Sequence, residues 1–155
     1  MQEKETTNNG EFAALNPRGR IIALDPGTKR IGVAVCDDDR IVATPLRQID
    51  RGSWKKLLSE IKQLLQEFDA KALVIGLPLE SNGEESEMSA EAREMARKLR
   101  LSLDIPVYLQ DERVTSYDAK RRLWDRGITN TSALVDSEAA AIILSDFLDR
   151  LRSGR

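Results

Sequence analysis

Apolar and polar residues fall along this chain in blocks whose spacing predicts the elements. Ile21–Asp25 and Ile31–Cys36 are apolar runs separated by Pro26-Gly27-Thr28-Lys29-Arg30. They read as two strands joined by a tight turn. The two-residue period puts Ile22 and Leu24 on one face and Ile21, Ala23 and Asp25 on the other. Pro26 fixes φ and Gly27 tolerates positive φ, so Asp25 is presented where a buried strand meets an open turn. Ile41–Thr44 reads as a third strand ended by Pro45. Ser53 to Phe68 carries Trp54, Leu57, Leu58, Ile61, Leu64, Leu65 and Phe68 at helical spacing, with Ser53 as cap. Ala72–Leu77 is a continuous apolar strand, of the kind buried on both faces, and Gly76-Leu77-Pro78 closes it.

Further on, Glu80–Glu85 reads as a loop around Ser81, Asn82 and Gly83. Met88–Leu103 is a helix with Met88, Ala92, Met95, Ala96 and Leu99 on one face. Val107–Gln110 is a strand running into Asp111-Glu112-Arg113. Alternation points Asp111 and Glu112 to opposite faces, so only one of them shares a face with Asp25. Thr115–Arg126 is a helix capped by Thr115 and stopped by Gly127. The last helix covers Leu134 to Leu151 and sets Asp136, Ala139, Ala140, Ile143 and Phe147 on one face. An Asp in an apolar stripe needs a partner, because an unpaired buried charge is costly. Asp136 therefore reads either as a ligand or as the cap of its helix.

Composition narrows the chemistry. A chain of 155 residues with 41% hydrophobic and 32% charged residues suits one domain with a substantial core. Met1 to Arg18 is polar and aperiodic and reads as a disordered tail, in which Phe12, Ala13, Ala14 and Leu15 could form a short docking turn, leaving 19–152 as a single domain. The polar, acidic start does not read as a signal peptide, and no apolar run approaches the ~20 residues of a membrane helix. The single Cys36 excludes an internal disulfide and fits a reducing cytoplasm. There is no His at all, which removes Ser-His-Asp and Cys-His catalysis and His-based metal sites. Hydrolytic chemistry then rests on carboxylates, metals, Lys, Tyr or the thiol. Net charge is −2, against a broad basic surface, so nucleic-acid binding would need local patches. Asp37-Asp38-Asp39 lacks alternating ligand spacing and a distal Glu, and reads as a solvated turn rather than a calcium loop.

Four stretches, in order, carry a resemblance: DPGTKRIGVAV at Asp25–Val35, GLP at Gly76–Pro78, DERVTS at Asp111–Ser116 and DSEAAAIIL at Asp136–Leu144. Together they resemble the YqgF family, also called RuvX, bacterial RNase H-like proteins described as Holliday junction resolvases and as pre-16S rRNA nucleases. The resemblance spans about Arg20 to Leu151. It implies an α/β, RNase H-like fold: a mixed five-stranded sheet of three antiparallel strands, then strands alternating with helices, flanked by helices. Many RNase H-like nucleases carry an acid where Gly76 stands, and the resemblance favours Glu112 as its replacement. It likewise tips Asp136 toward metal ligation.

Asp25, Glu112 and Asp136 are thus the expected catalytic and metal-binding residues. Clustered carboxylates repel and need a cation, and all-oxygen ligands favour hard ions, hence Mg²⁺ or Mn²⁺. Two such ions about 3.5–4 Å apart support in-line phosphodiester cleavage without a His. Backbone N–H groups near Gly27, with Thr28, Lys29 and Arg30, are candidate phosphate contacts. Arg113 could hold a phosphate or pair with Asp111. Lys120 and Arg121 lie in the densest basic stretch, open to phosphate contact or plain solvation. The expected function is a metal-dependent nuclease acting in ribosomal RNA maturation. The alternatives are a Holliday junction resolvase, which a symmetric dimer would support, and a noncatalytic nucleic-acid-binding module. An actin-like ATPase, suggested by DPGT, would need paired domains the chain is too short for. The partner is nucleic acid, either structured RNA or branched DNA, with no membrane, and the protein is a monomer or homodimer.

Overall fold

The computed structural model describes residues 10–27, 29–112 and 132–154, with backbone alone for 132–136. Its strands are β1 (Ile21–Pro26), β2 (Arg30–Cys36), β3 (Ala43–Asp50), β4 (Ala72–Pro78) and β5 (Val107–Glu112). The helices among the described residues are α1 (Trp54–Glu67), α2 (Glu87–Ser102) and α3 (Ser132–Ser153). The sheet runs in the order β3-β2-β1-β4-β5. β1, β2 and β3 are antiparallel neighbours, whereas β1, β4 and β5 are parallel. This is the mixed five-stranded sheet that the sequence implied. The expected helix at Thr115–Arg126 lies outside the described residues.

Strand alternation builds two cores, one on each face. Ile22, Leu24, Leu73, Ile75, Leu77 and Val107 pack under Leu57, Ile61 and Leu65 of α1 and Ala92, Met95, Ala96 and Leu99 of α2. On the other face, Ile21, Ala23, Ala72, Val74 and Tyr108 pack under Ala140, Ile143, Leu144, Phe147 and Leu148 of α3. Each fully buried aliphatic side chain contributes about 1.5–3 kcal/mol, so burial on both faces is what fixes the parallel strands. The caps follow the sequence: Ser53 accepts from Lys56 N–H at 3.2 Å, and Ser86 and Ser89 form a capping box at the start of α2.

Three expectations are corrected. Pro45 does not end the third strand: β3 continues through it, with Pro45 opposite Ala34. β3 is the outermost strand, where a missing N–H costs no ladder partner. Ile41 and Val42 instead lie in the preceding turn, 69% and 58% exposed, and both donate their N–H groups to Asp37 Oδ1 at 2.8 Å. These bonds hold the Asp37 carboxyl below its ordinary range, and Asp39 pairs with Arg18 at 3.0 Å. The acidic run is a structured turn, as its spacing suggested. Met88 is exposed, and Ser89 takes its place on the inner face of α2. Finally, the stretch from Gly10 is not a loose tail. Phe12 stacks edge-on against Tyr108 and Phe147 at 5.5 and 5.6 Å, Leu15 packs on the same core, and Glu11 pairs with Arg150 at 3.1 Å. Arg40, buried at a φ of 60°, ties this segment down by donating to the carbonyls of Asn16 and Gly19, each at 2.7 Å.

Candidate active site

Because β1, β4 and β5 are parallel, their C-terminal ends share one edge of the sheet. Asp25 stands at that edge of β1 and Glu112 at that edge of β5. Their faces follow from the two cores. Ile21 and Ala23 face α3, so alternation turns Asp25 to the α3 side. Tyr108 faces α3, so Gln110 and Glu112 do as well. Asp111 falls on the opposite alternation and is exposed, whereas Glu112 is 8% exposed. Of the two adjacent acids, Glu112 is the one on the same face as Asp25. The two strands are separated by β4, hence by about 10 Å across the sheet. Glu112 pairs with Pro78, while Gly76 follows the Leu24–Ile75 pair, so Glu112 lies about two residues further along.

Gly76 fills the position between the two acids, and it is a glycine for a packing reason. A Cβ built there would collide with Ile143 Cδ1 and lie 3.2 Å from Ile143 Cγ1. The missing side chain lets α3 press against β4.

α3 also approaches this edge with its N-terminal end. Ser137 Oγ donates to the Leu46 carbonyl at 2.5 Å; Leu46 pairs with Val33, and Val33 with Leu24, the residue before Asp25. At the other end, Arg152 donates to the Arg40 carbonyl at 2.8 Å, in the turn at the opposite edge. The helix therefore runs counter to β1. Position 136 belongs to its first turns and lies two turns before Ile143. The side chain of Asp136 is outside the described residues, as are Thr28, Arg113, Lys120 and Arg121. Among the described residues, no three His, Cys, Asp or Glu side chains form a cluster able to hold a metal ion. The described part of the constellation is the pair Asp25 and Glu112.

The turn beside Asp25 is tightly built. Gly27 N–H donates to the Arg30 carbonyl at 2.9 Å, and a Cβ on Gly27 would meet that oxygen at 2.6 Å. Gly27 is required by this close approach and not, as its turn chemistry suggested, by positive φ. Lys29 and Arg30 are exposed beside it. Two further features were not singled out by sequence. Arg51 donates through its backbone to the Lys29 carbonyl at 2.9 Å and through its guanidinium to the Gly27 carbonyl at 2.5 Å, bracing the turn. Glu138, within DSEAAAIIL, is 6% exposed. Neither has a distinguishing signal, since an Arg after a strand and a Glu in a helix are ordinary.

An α/β domain with a carboxylate pair at one sheet edge and a helix crossing that face is the RNase H-like arrangement. A family profile described as "RuvX: Holliday junction resolvase" matches residues 19–150. A "Putative pre-16S rRNA nuclease" of Gloeothece citriformis is 41% identical over 136 residues, covering 86% of this chain and 90% of its own. A protein of the same name from Methylocella silvestris is 39% identical, over 90% of this chain and 88% of its own. This chain belongs to the RuvX family. Among solved structures, Thermus thermophilus RuvC in complex with a Holliday junction substrate superposes with a TM-score of 0.56 at 14% identity, covering 87% of this chain and 96% of that one. That likeness establishes the RNase H-like, resolvase-type fold. No helix of the described residues is long and apolar enough to cross a membrane.

Proposed function

We propose that this protein is a divalent-metal-dependent nuclease that cleaves phosphodiester bonds in the precursor of 16S rRNA, with Asp25, Glu112 and Asp136 as its catalytic acids. The observation that carries the reading is the shared placement of Asp25 and Glu112 on one face at one sheet edge, toward which the N-terminal end of α3 runs. An oxygen-only donor set without His or thiolate fits Mg²⁺ or Mn²⁺. When bound, such ions lower the pKa of water and neutralise charge on the leaving oxygen. The chain's own residues supply the frame: the Gly27–Arg30 hairpin fixes Asp25, β5 fixes Glu112, and Lys29, Arg30, Arg113, Lys120 and Arg121 are proposed phosphate contacts, with Thr28 at the turn. The names of the relatives favour ribosomal RNA as substrate and, with it, a place in the bacterial cytoplasm.

The second reading is a Holliday junction resolvase, which the description of the family profile favours. The test is a Mn²⁺-dependent cleavage assay comparing 16S rRNA precursor with four-way DNA junctions, with Asp25→Asn as the control. Cleavage of the RNA that disappears in Asp25→Asn, with an unchanged far-UV spectrum, is the expected result. Preferential cutting of the junction would select the second reading. Undiminished cleavage by Asp25→Asn would reject the site altogether.

A further inference from the structure

Beside the turn that carries Asp25, a groove of about 260 Å³ opens between the start of α1 and the outer surface of α2. It is lined by Arg51, Trp54, Glu91, Glu94, Met95 and Lys98, among others. We propose that this groove takes an unpaired base of the nucleic-acid strand flanking the scissile bond, stacked on Trp54, with its phosphates met by Arg51 and Lys98. The proposal rests on the nuclease reading above and extends it to how the strand leaves the site.

Four observations converge here. First, the groove adjoins the turn that carries Asp25, on the side of the sheet covered by α1 and α2. The Arg51 guanidinium bonds the carbonyl of Gly27, two residues after Asp25 and therefore within about 7 Å of it along the chain. Second, Trp54 is only half-buried, and the Lys98 ammonium sits 4.3 Å from its ring centroid. A base can replace the ammonium on the accessible part of the ring while the lysine turns to the phosphate.

Third, the lining is balanced in charge rather than acidic, with Arg51 and Lys98 against Glu91 and Glu94. Glu94 is held by Arg97 in a two-point pair at 2.6 and 3.0 Å, and Glu91 stands 3.8 Å from Arg51. Arg97 brings a further cation beside Glu94, and exposed Lys29 is tied to Arg51 by its carbonyl, which accepts from Arg51 N–H at 2.9 Å. Fourth, α1 begins at Trp54, so the positive end of its dipole points into the same space. A paired base has its faces occupied by its neighbours in the stack. Base stacking on a side chain therefore selects single-stranded nucleic acid and is tolerant of sequence.

The test measures binding by the full chain in the presence of EDTA, so that cleavage does not intervene. The probes are a labelled single-stranded RNA, its DNA counterpart and a blunt RNA duplex. Trp54→Leu keeps an apolar side chain against the core but removes the stacking surface; it should weaken single-strand binding about 5–150-fold, the range spanned by base–aromatic stacks. Lys98→Gln should weaken it less and flatten its salt dependence. Duplex affinity should stay at the parental value in both. Parental single-strand affinity in both variants would overturn the proposal, as would an equal loss for duplex and single strand. Lys98→Gln, at a partly exposed position, decides the matter if Trp54→Leu does not fold. Asp25→Asn, run in parallel, separates this inference from the nuclease reading. Full cleavage by that variant, with binding lost in Trp54→Leu, would remove the active site and leave the groove standing.

Discussion

Replacing Gly76 with Ala perturbs the site through packing alone. The added methyl would overlap Ile143 Cδ1 and press on Cγ1 at 3.2 Å, and Ile143 is 3% exposed among Leu144, Phe147 and Ala140. Ile143 is buried, so either its terminal methyl swings to another rotamer or α3 lifts from β4. Overpacking of this kind costs about 1–3 kcal/mol. At roughly 2–4 °C per kcal/mol for a chain of this length, the midpoint of thermal unfolding should fall by about 2–12 °C. Ile143→Val removes the offending Cδ1 and should itself cost about 0.5–1.5 kcal/mol. The two together should be more stable than the sum of the single changes, a favourable coupling of about 0.5–3 kcal/mol in a double-mutant cycle. Calorimetric or circular-dichroism melts of the four proteins measure it. Strict additivity, or an unchanged midpoint in Gly76→Ala, would refute the idea that this glycine exists to admit the helix. Cleavage should fall more than stability in Gly76→Ala, since lifting α3 displaces position 136.

Glu112→Gln should reduce metal-dependent cleavage by at least the ~10–100-fold that even outer-shell partners of a metal cost, whereas Asp111→Asn should stay near the parental rate; single-turnover kinetics distinguish the two. Phe12→Ala should lower stability by about 1–3 kcal/mol, less than a fully buried Phe, because its ring is only partly covered; denaturant melts check it, and no change would return the segment to a loose tail. Burial pushes the Cys36 thiol above its ordinary value of 9.0 and the Tyr108 phenol above 10.0. The folded protein therefore keeps protons that the unfolded chain releases, so stability should hold below about pH 9 and fall as pH rises beyond it. Cys36 should likewise resist alkylation at pH 8 until the protein is denatured. Urea midpoints between pH 7 and pH 10 give the slope, and a flat profile would contradict the burial.

The elements with a strong single period were legible in the chain. α1 and α3 showed helical stripes, Ala72–Leu77 a solid apolar run, and Asp25 the end of a strand. Alternation separated Asp111 from Glu112 but left the choice open; the resemblance favoured Glu112, and Tyr108 on the α3 side puts that residue on the face of Asp25. What escaped were facts set by neighbours rather than by local pattern. Pro45 is harmless only because β3 is outermost, which no local signal states. Phe12 looked like part of a polar tail because its partners, Tyr108 and Phe147, lie about a hundred residues away or more. Trp54 packs against the core as its helical spacing indicates, but the Lys98 ammonium 4.3 Å from its ring was not visible from either helix alone. Gly76 was read as an acid's absence, whereas the structure explains it by contact with Ile143.

The two outer strands have a consequence for association. The outward carbonyls of β5 are each engaged by a side chain: Val107 by Arg100 at 3.1 Å, Leu109 by Arg150 at 3.3 Å and Asp111 by Gln110 at 3.2 Å. On the far side, Pro45 offers no N–H, and the Leu46 carbonyl is occupied by Ser137. Open sheet margins are templates for edge-to-edge growth, and natural proteins blunt them with proline and charged residues. At these positions the margins are blunted from within, which disfavours pairing of a second molecule there.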